Sequence, residues 1–222
     1  MLILGVDTSG KNGSIALVKF GDENALTFEV VSLQGGTFSA QLVPQISELL
    51  SRHKFTKLDL DGFAVVSGPG SFTGLRVGLA AIKALAEVLQ RPVAAVSLLE
   101  AIARESRKRG KVIALLDAGR AEVYAGEFSM NETEVEVGPQ RLVALIELSA
   151  LSDGPEIVTT DSKIAAFARE RRWHVTQIEY PKSDYIARLG FEKINAGVVT
   201  SVDALDANYI RRSDAEIKFA GH

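Results

Sequence analysis

Cysteine is absent from the sequence, which excludes disulfides, thiolate catalysis and zinc or iron–sulfur centres held by cysteine. Histidine is scarce: His53, His174 and His222 fit no two-histidine zinc site on a helix. Positive charge is not in excess either, since 25 Lys and Arg face 28 Asp and Glu, a formal net charge of −3. Unaided nucleic-acid binding usually needs such an excess. We therefore expect a protein of the reducing cytoplasm, without a metal site, that does not bind nucleic acid by itself.

Long uncharged apolar runs are missing as well. The most apolar stretch, Leu75 to Leu89, is interrupted by Arg76, Lys83 and Glu87, whereas a membrane-spanning helix needs about 20 consecutive apolar residues. No basic region precedes the first apolar run, which ends at Asp7, so this run predicts a strand and not a signal peptide. We expect no membrane association.

The sequence does have enough apolar material for a core, because 46% of its residues are hydrophobic. Alternating patterns predict a meander of three strands, followed by a helix from about Ser39 to His53, in which Pro44 predicts a late start or a kink. A long helix to about Gln90 follows the loop Gly68-Pro69-Gly70. The predicted strands of this half are Leu2 to Thr8, Ser14 to Lys19, Leu26 to Ser32, Gly62 to Ser67 and Pro92 to Val96.

The pattern then repeats. Val112 to Asp117 parallels Leu2 to Asp7, and a second meander follows it. Two copies of one unit predict an α/β fold with domains at residues 1–110 and 111–222. The later predicted strands are Glu122 to Phe128, Glu134 to Val137, Glu156 to Thr159, Trp173 to Ile178 and Asn208 to Ile210. The later predicted helices are Leu142 to Leu148, Ser162 to Arg171, which Asp161 would cap, and Asp184 to Asn195.

A basic cluster lies between the two copies. Ser97 and Glu100 fit the capping box of a helix, and Gly110 fits its end. The cluster Arg107-Lys108-Arg109 would then lie in the last helical turn, where cations complement the helix dipole. This interpretation explains the cluster better than a nucleic-acid patch does.

Two acids occupy equivalent positions in the two copies. Asp7, followed by Thr8 and Ser9, and Asp117 each end a first strand, so in a duplicated fold they could face a nucleotide and hydrated Mg²⁺ across a cleft. The alternative is that each carboxylate caps its own turn.

The loop after the fourth strand carries the strongest local signal. The run from Ser67 to Gly78 lacks the Gly-Lys-Ser or Gly-Lys-Thr end of a Walker A loop, and its glycines miss the dinucleotide fingerprint. What remains is a tight turn into a helix whose first amides could accept an anion, with Ser71 or Thr73 as its cap.

Two helices carry more apolar surface than one core needs. The long helix is apolar or small on three sides, whereas covering a core takes an arc of only about 100°. A partner could cover the rest, or the helix could be buried wholly within its own domain. The residues predicted for a partner interface are Leu42, Ile46, Leu49, Leu50, Leu75, Arg76, Gly78, Leu79 and Ile82.

Four segments together resemble the TsaB family, also called YeaZ. They are Ile3 to Ser9, Gly68 to Ala80, Val96 to Ala101 and Asp117 to Tyr124, and Asn208 to Arg211 is similar to a tyrosine-containing strand of that family. The likeness spans the first 125 residues closely, and the run Gly-Pro-Gly-Ser-Phe-Thr-Gly-Leu-Arg is highly specific for it.

The resemblance implies a duplicated ribonuclease-H-like fold of the actin, sugar kinase and Hsp70 type. It also implies a non-catalytic subunit that forms a heterodimer with TsaD, joined by TsaE, for threonylcarbamoylation of the adenosine beside the anticodon in tRNAs reading codons that begin with A. The chain alone would hold no cofactor, ATP or ADP would enter with the partners, tRNA would bind only to the complex, and a homodimer could form in isolation. TsaD carries a His-x-x-x-His metal motif that this sequence lacks.

Two other functions remain open from the residues. One is an ATP-dependent small-molecule kinase or ATPase that uses Asp7 and Asp117. The other is a peptidase, for which the sequence offers no evident nucleophile and base, since Ser71 lies outside any Gly-x-Ser-x-Gly elbow.

Overall fold

The predicted N-terminal meander forms one side of the first sheet. We describe a computed structural model over residues 1–21, 24–131, 135–150, 156–208 and 210. The sheet contains β1 (Leu2–Asp7), β2 (Gly13–Phe20), β3 (Ala25–Leu33), β4 (Gly62–Gly68) and β5 (Val93–Ser97), in the order β3-β2-β1-β4-β5. The meander strands are antiparallel, whereas β1, β4 and β5 are parallel to one another.

The second sheet repeats this arrangement. It contains β6 (Gly110–Gly119), β7 (Glu122–Met130), β8 (Val135–Ala144), β9 (Glu156–Thr159) and β10 (Val175–Gln177), in the order β10-β9-β6-β7-β8. The meander is again antiparallel, and β6, β9 and β10 are parallel. Each strand of the first sheet therefore has a counterpart in the second, which confirms the predicted duplicated α/β fold.

Helices lie between or after the strands along the described part of the chain. They are α1 (Phe38–Arg52), α2 (Phe72–Leu89), α3 (Leu98–Glu105), α4 (Ser162–Glu170) and α5 (Ser183–Asn195), with 3₁₀ turns at Lys57–Asp59 and Leu145–Ala150. Asp161 caps α4 as predicted, because its Oδ1 accepts hydrogen bonds from the backbone N–H groups of Lys163 and Ile164 at 2.7 and 3.0 Å. Over the described residues, no helix is both long enough and apolar enough to span a membrane.

Helix α5 belongs to the first sheet although it follows the second in sequence. A Cβ added at Gly5 would lie 3.0 Å from the Ala187 Cβ, and one added at Gly190 would lie 2.2 Å from the Ala64 Cβ. Small residues on both elements thus bring α5 close to one face of the sheet. All seven residues of β4 are buried, so α1 and α2 cover the other face.

The contacts divide the chain into a first unit, Met1–Ala101 with Pro181–Ala207, and a second unit that contains Ile102–Tyr180. This division differs from the predicted domains at residues 1–110 and 111–222. The reason is that the sequence alone does not reveal the return of α5 to the first sheet.

Several predicted elements have different bounds. Pro44 lies inside α1 without delaying its start, and α3 ends at Glu105, so the basic cluster follows the helix instead of forming its last turn. The helix predicted at Leu142 is instead the end of β8 and a 3₁₀ turn. Of the strand predicted near the C-terminus, Tyr209 lies outside the described residues, as do Arg211 of the family-like segment and Glu134 at the start of the predicted eighth strand.

Candidate protein interface on the first unit

The N-terminus of α2 is fixed against the loop that follows β1. The Ser71 side chain accepts a hydrogen bond from the Gly74 N–H at 3.3 Å, so Ser71 is the cap. The Ser71 N–H in turn donates to the Ser9 carbonyl at 2.7 Å, and the Thr8 hydroxyl donates to the Gly74 carbonyl at 2.7 Å. The first turn of α2 is therefore held by this chain's own polar groups.

Glycine is required along this contact. A Cβ at Gly74 would lie 2.0 Å from the Thr8 carbonyl oxygen, one at Gly78 would lie 2.3 Å from Thr8 Oγ1, and one at Gly70 would lie 2.5 Å from the Ser9 carbonyl oxygen. Small residues on α2 therefore admit another backbone closely. The backbone they admit is that of this chain's own Thr8 and Ser9.

The two acids proposed for a nucleotide site each bond within their own turn. Asp7 is buried, and its Oδ1 accepts hydrogen bonds from the Ser9 N–H at 2.8 Å and the Ser9 hydroxyl at 2.6 Å. Asp117 is exposed, and its Oδ1 accepts from the Gly119 N–H at 3.0 Å. This geometry favours the turn-capping interpretation of both residues, while Thr8 and Ser9 serve to seat α2.

The residues predicted to contact a partner lie almost entirely in the core of the first unit. Leu79 is 4% exposed and Ile82 is fully buried. Only Arg76 of the predicted set is exposed. The sheet covers the flanks of α1 and α2 that carry the other eight residues, so burial disfavours them as partner contacts and their interface role stays a prediction: Leu42, Ile46, Leu49, Leu50, Leu75, Gly78, Leu79 and Ile82.

A second apolar face remains open on the same two helices. We call it the outer face: Ala40, Val43 and Pro44 on α1 and Val77, Ala80, Ala84 and Val88 on α2. Val43 is 58% exposed and Val88 is 74% exposed. Spacings of three and four residues keep each set on one side of its helix. The helices pack side by side, so their open sides form one surface.

An aromatic residue and a cation border the outer face at the N-terminus of α2. Phe72 is 38% exposed, and the Arg76 guanidinium carbon lies 3.7 Å from the centre of its ring. Stacking of this kind holds both side chains in defined positions before any partner arrives. Aromatic and arginine side chains are also the most frequent anchors of protein interfaces.

Two polar contacts that the sequence did not reveal, one buried and one partly buried, position α5. The Ser14 and Ser183 hydroxyls lie 2.7 Å apart, and the Ser183 hydroxyl donates to the Ser14 carbonyl at 2.6 Å. At the other end of α5, Lys193 Nζ lies 2.9 Å from Glu100 Oε2 on α3. The two residues of the first contact are 169 positions apart in the chain and those of the second are 93 apart, so no local sequence motif could indicate either contact.

Comparison with known proteins gives concordant matches. The family model described as "TsaD: tRNA N6-adenosine threonylcarbamoyltransferase" matches residues 34–202. The tRNA threonylcarbamoyladenosine biosynthesis protein TsaB of Bacillus subtilis is 30% identical over 99% of this chain and 98% of that protein. The protein of the same name from Escherichia coli is 33% identical over 61% of this chain and 58% of its own length.

A solved structure supports the fold. YeaZ from Pseudomonas aeruginosa superposes with a TM-score of 0.74 over 94% of this chain and 99% of that chain, at 24% identity. At so low a sequence identity the match is informative about the fold alone, and it supports the two-sheet arrangement described above.

Proposed function

Because the chain belongs to the TsaB family of tRNA threonylcarbamoyladenosine biosynthesis proteins, we propose that it is the non-catalytic subunit that binds TsaD in that pathway. It acts in the cytoplasm, where tRNA is modified. TsaE, tRNA and ATP or ADP join only the assembled complex under this proposal. The observation that carries it is the outer face, an open apolar surface on two packed helices.

Three candidate acid–base groups among the described residues support a non-catalytic role. His53 Nε2 lies 2.9 Å from Glu29 Oε2 beside the end of α1. Asp7 and Asp117 bond to their own turns, as described above. General acid–base or nucleophilic catalysis needs such groups to converge on one reacting atom. These residues serve the local structure instead.

The size of the helix pair that carries the outer face suits one side of a stable interface. The 15 residues of α1 and 18 of α2 give helices about 22 and 27 Å long at 1.5 Å per residue. At roughly 10 Å of width for each helix, their projected area is about 500 Å². A standard interface buries about 800 Å² on each partner. The helix pair with its border at Phe72 and Arg76 supplies most of that area.

The match to the TsaD family model supports a pairing in which the helix pair of this chain packs against an equivalent helix pair of TsaD. The matching region, residues 34–202, includes both α1 and α2, so we expect TsaD to carry an equivalent helix pair. Two related surfaces can pair about a pseudo-twofold axis, as identical surfaces do in a symmetric dimer. The same face would pair two copies of this chain when TsaD is absent.

The test places a charge on the outer face. Val88→Glu and Ala84→Glu should each weaken binding to TsaD at least about 100-fold, because an unpaired charge buried in an interface costs roughly 3–5 kcal/mol. Both residues are exposed in the unbound chain, so its melting temperature should stay unchanged. Affinity would be measured by calorimetry, together with reconstituted tRNA threonylcarbamoylation with and without this chain.

Leu26→Glu is the matched control, because Leu26 is 57% exposed on β3 and is not part of the outer face. It should bind TsaD like the unmodified protein. Binding that survives both outer-face variants, or modification that proceeds equally well without this chain, would contradict the proposal. Leu79→Ala is unsuitable as a test, since truncating a buried leucine costs about 2–5 kcal/mol of stability by itself.

A further inference from the structure

Two basic segments that are far apart in the sequence converge in the second unit. The first runs from after α3 into the start of β6, and the second begins at the end of α4 and continues toward β10. We call their seven cations the basic edge: Arg107, Lys108, Arg109, Lys111, Arg169, Arg171 and Arg172. The sequence pattern predicts the first segment to be the end of a helix, and it predicts no binding role for the second segment.

The strand register brings the two segments together. Val112 of β6 pairs with Glu156 of β9, and Ile157 of β9 pairs with Val175 of β10, all in parallel. The starts of the three strands therefore lie at the same edge of the sheet. Since neighbouring strands are about 4.8 Å apart, the two segments enter the sheet about 10 Å from each other.

A direct contact supports this placement. Lys108 Nζ lies 3.3 Å from Glu156 Oε1, so the first segment reaches the start of the middle strand. The Ile157 N–H donates to the His174 carbonyl at 2.9 Å, so the second segment lies along the other side of that strand. Glu156 thus lies between the two groups of cations.

Among the described residues, cations outnumber acids at this edge. Glu156 and Glu170 contact members of the basic edge, and Glu105 precedes the first segment. Glu136 of β8 lies at the same end of the sheet, because it pairs with Ser129, which pairs with Lys111. Over the described residues, these four acids accompany seven cations in a protein whose formal net charge is −3. Repulsion among like charges destabilises the folded unit, and a bound polyanion would relieve it.

Helix termini account for only part of this charge. Cations stabilise the C-terminal turn of a helix, and α3 and α4 both end here. That effect falls off within the last turn, whereas Arg109 and Lys111 lie four and six residues beyond the end of α3. Their presence is not explained by the helix dipole.

One arginine is held in place by an aromatic residue. The Arg171 guanidinium carbon lies 3.4 Å from the centre of the Phe167 ring, and Arg171 Nη1 donates to the Phe167 carbonyl at 3.3 Å. The Phe167 ring also packs edge-on against Trp173 at 6.0 Å. A cation fixed in this way loses less entropy on binding phosphate than a free side chain does.

We propose that the basic edge binds the phosphate backbone of RNA, namely the tRNA of the modification complex, which rests on the function proposed above. Lysine and arginine clustered at one end of a sheet suit phosphates, because both side chains make charge-assisted hydrogen bonds to phosphate oxygens. Because the chain has a net negative charge, we expect the isolated chain to bind tRNA weakly. In the complex, the partner supplies further contacts to the tRNA, so the basic edge adds to a stronger overall affinity.

The test removes three exposed cations, with Lys111→Gln, Arg169→Gln and Arg172→Gln combined. The complex of this full chain with TsaD would be titrated with a labelled tRNA reading codons that begin with A, between 50 and 300 mM salt. Three lost phosphate contacts should reduce the slope of log K against log salt by about 2. If the variant and the unmodified protein bind equally at 1 M salt, a slope smaller by 2 makes the affinity of the variant about 40-fold lower at 0.15 M.

The matched control removes three exposed cations elsewhere, with Lys57→Gln, Lys163→Gln and Arg188→Gln combined. It changes the net charge equally and should keep the original affinity and slope. Unchanged tRNA binding by the basic-edge variant would overturn the inference. Loss of TsaD binding by that variant would overturn it as well, because the edge would then be a protein contact.

Titration of the isolated chain with tRNA at 50 mM salt separates the two proposals. If the chain fails to bind TsaD, the function proposed above fails, but the basic-edge variant should still reduce this weak binding about tenfold or more. Equal binding by the isolated variant and the unmodified chain would refute the basic edge whatever the outcome with TsaD.

Discussion

The contact between Gly78 and Thr8 allows a test of how α2 packs against the loop that follows β1. A Cβ at position 78 would lie 2.3 Å from Thr8 Oγ1 but 3.6 Å from Thr8 Cβ, which is an ordinary contact distance. The clash of Gly78→Ala is thus with the hydroxyl alone. Thr8 is buried, and its hydroxyl donates to the Gly74 carbonyl, so it cannot rotate away without losing that bond.

The expected energies follow from these contacts. Gly78→Ala gains about 1 kcal/mol of helix propensity but incurs roughly 1–3 kcal/mol of overpacking and about 1 kcal/mol from the lost hydrogen bond. We expect net destabilisation of about 2 kcal/mol. Thr8→Ala should cost about 2–3 kcal/mol, from the hydrogen bond and a buried methyl group.

The double variant should be more stable than the sum of the two single variants predicts. With Thr8→Ala, the new methyl group at position 78 meets only a Cβ at ordinary distance and fills part of the vacated space. We expect a total loss of about 2 kcal/mol, hence a favourable coupling of roughly 2–3 kcal/mol. Urea denaturation followed by circular dichroism would measure the four free energies of unfolding.

Gly74 provides the control. Its added Cβ would lie 2.0 Å from the Thr8 carbonyl oxygen, a backbone atom that Thr8→Ala leaves in place. Gly74→Ala should therefore be severely destabilising with or without Thr8→Ala. Two results would refute this account of the contact between α2 and Thr8. One is that the destabilisations by Gly78→Ala and Thr8→Ala add within about 0.5 kcal/mol in the double variant. The other is that Thr8→Ala restores the stability of Gly74→Ala.

Two further predictions concern contacts elsewhere in the first unit. Ser183→Ala should lower the free energy of unfolding by about 1–3 kcal/mol, because it removes the buried hydroxyl that donates to the Ser14 carbonyl and contacts the Ser14 hydroxyl, and urea denaturation would detect it. Hydrogen bonds from the Thr56 N–H and then the Thr56 hydroxyl hold the pKa of Asp59 below its ordinary value. This stabilisation is present above the ordinary pKa and is lost as pH falls through the lowered one; carboxyl NMR titration showing no lowering would contradict it.

Local sequence signals predicted the elements well where neighbouring residues decide them. The meander Leu2–Leu33 and the Asp161 cap follow from alternation and from the N–H groups next to a side chain. The helix predicted from Leu142 failed because pairing of β8 with β7 outweighed its weak periodicity. Such pairing depends on residues distant in the chain, so no local pattern reports it.

The sequence by itself determined the duplicated fold, the family and the choice of α1 and α2 as the helices with surplus apolar surface. Only the tertiary structure decided which side of them is free. Helix α2 is apolar on several sides, so periodicity cannot tell core from surface, whereas Gly74 and Gly78 must face Thr8, more than 60 residues earlier. The basic edge likewise exists only because parallel pairing of β6, β9 and β10 joins two segments that the chain keeps apart.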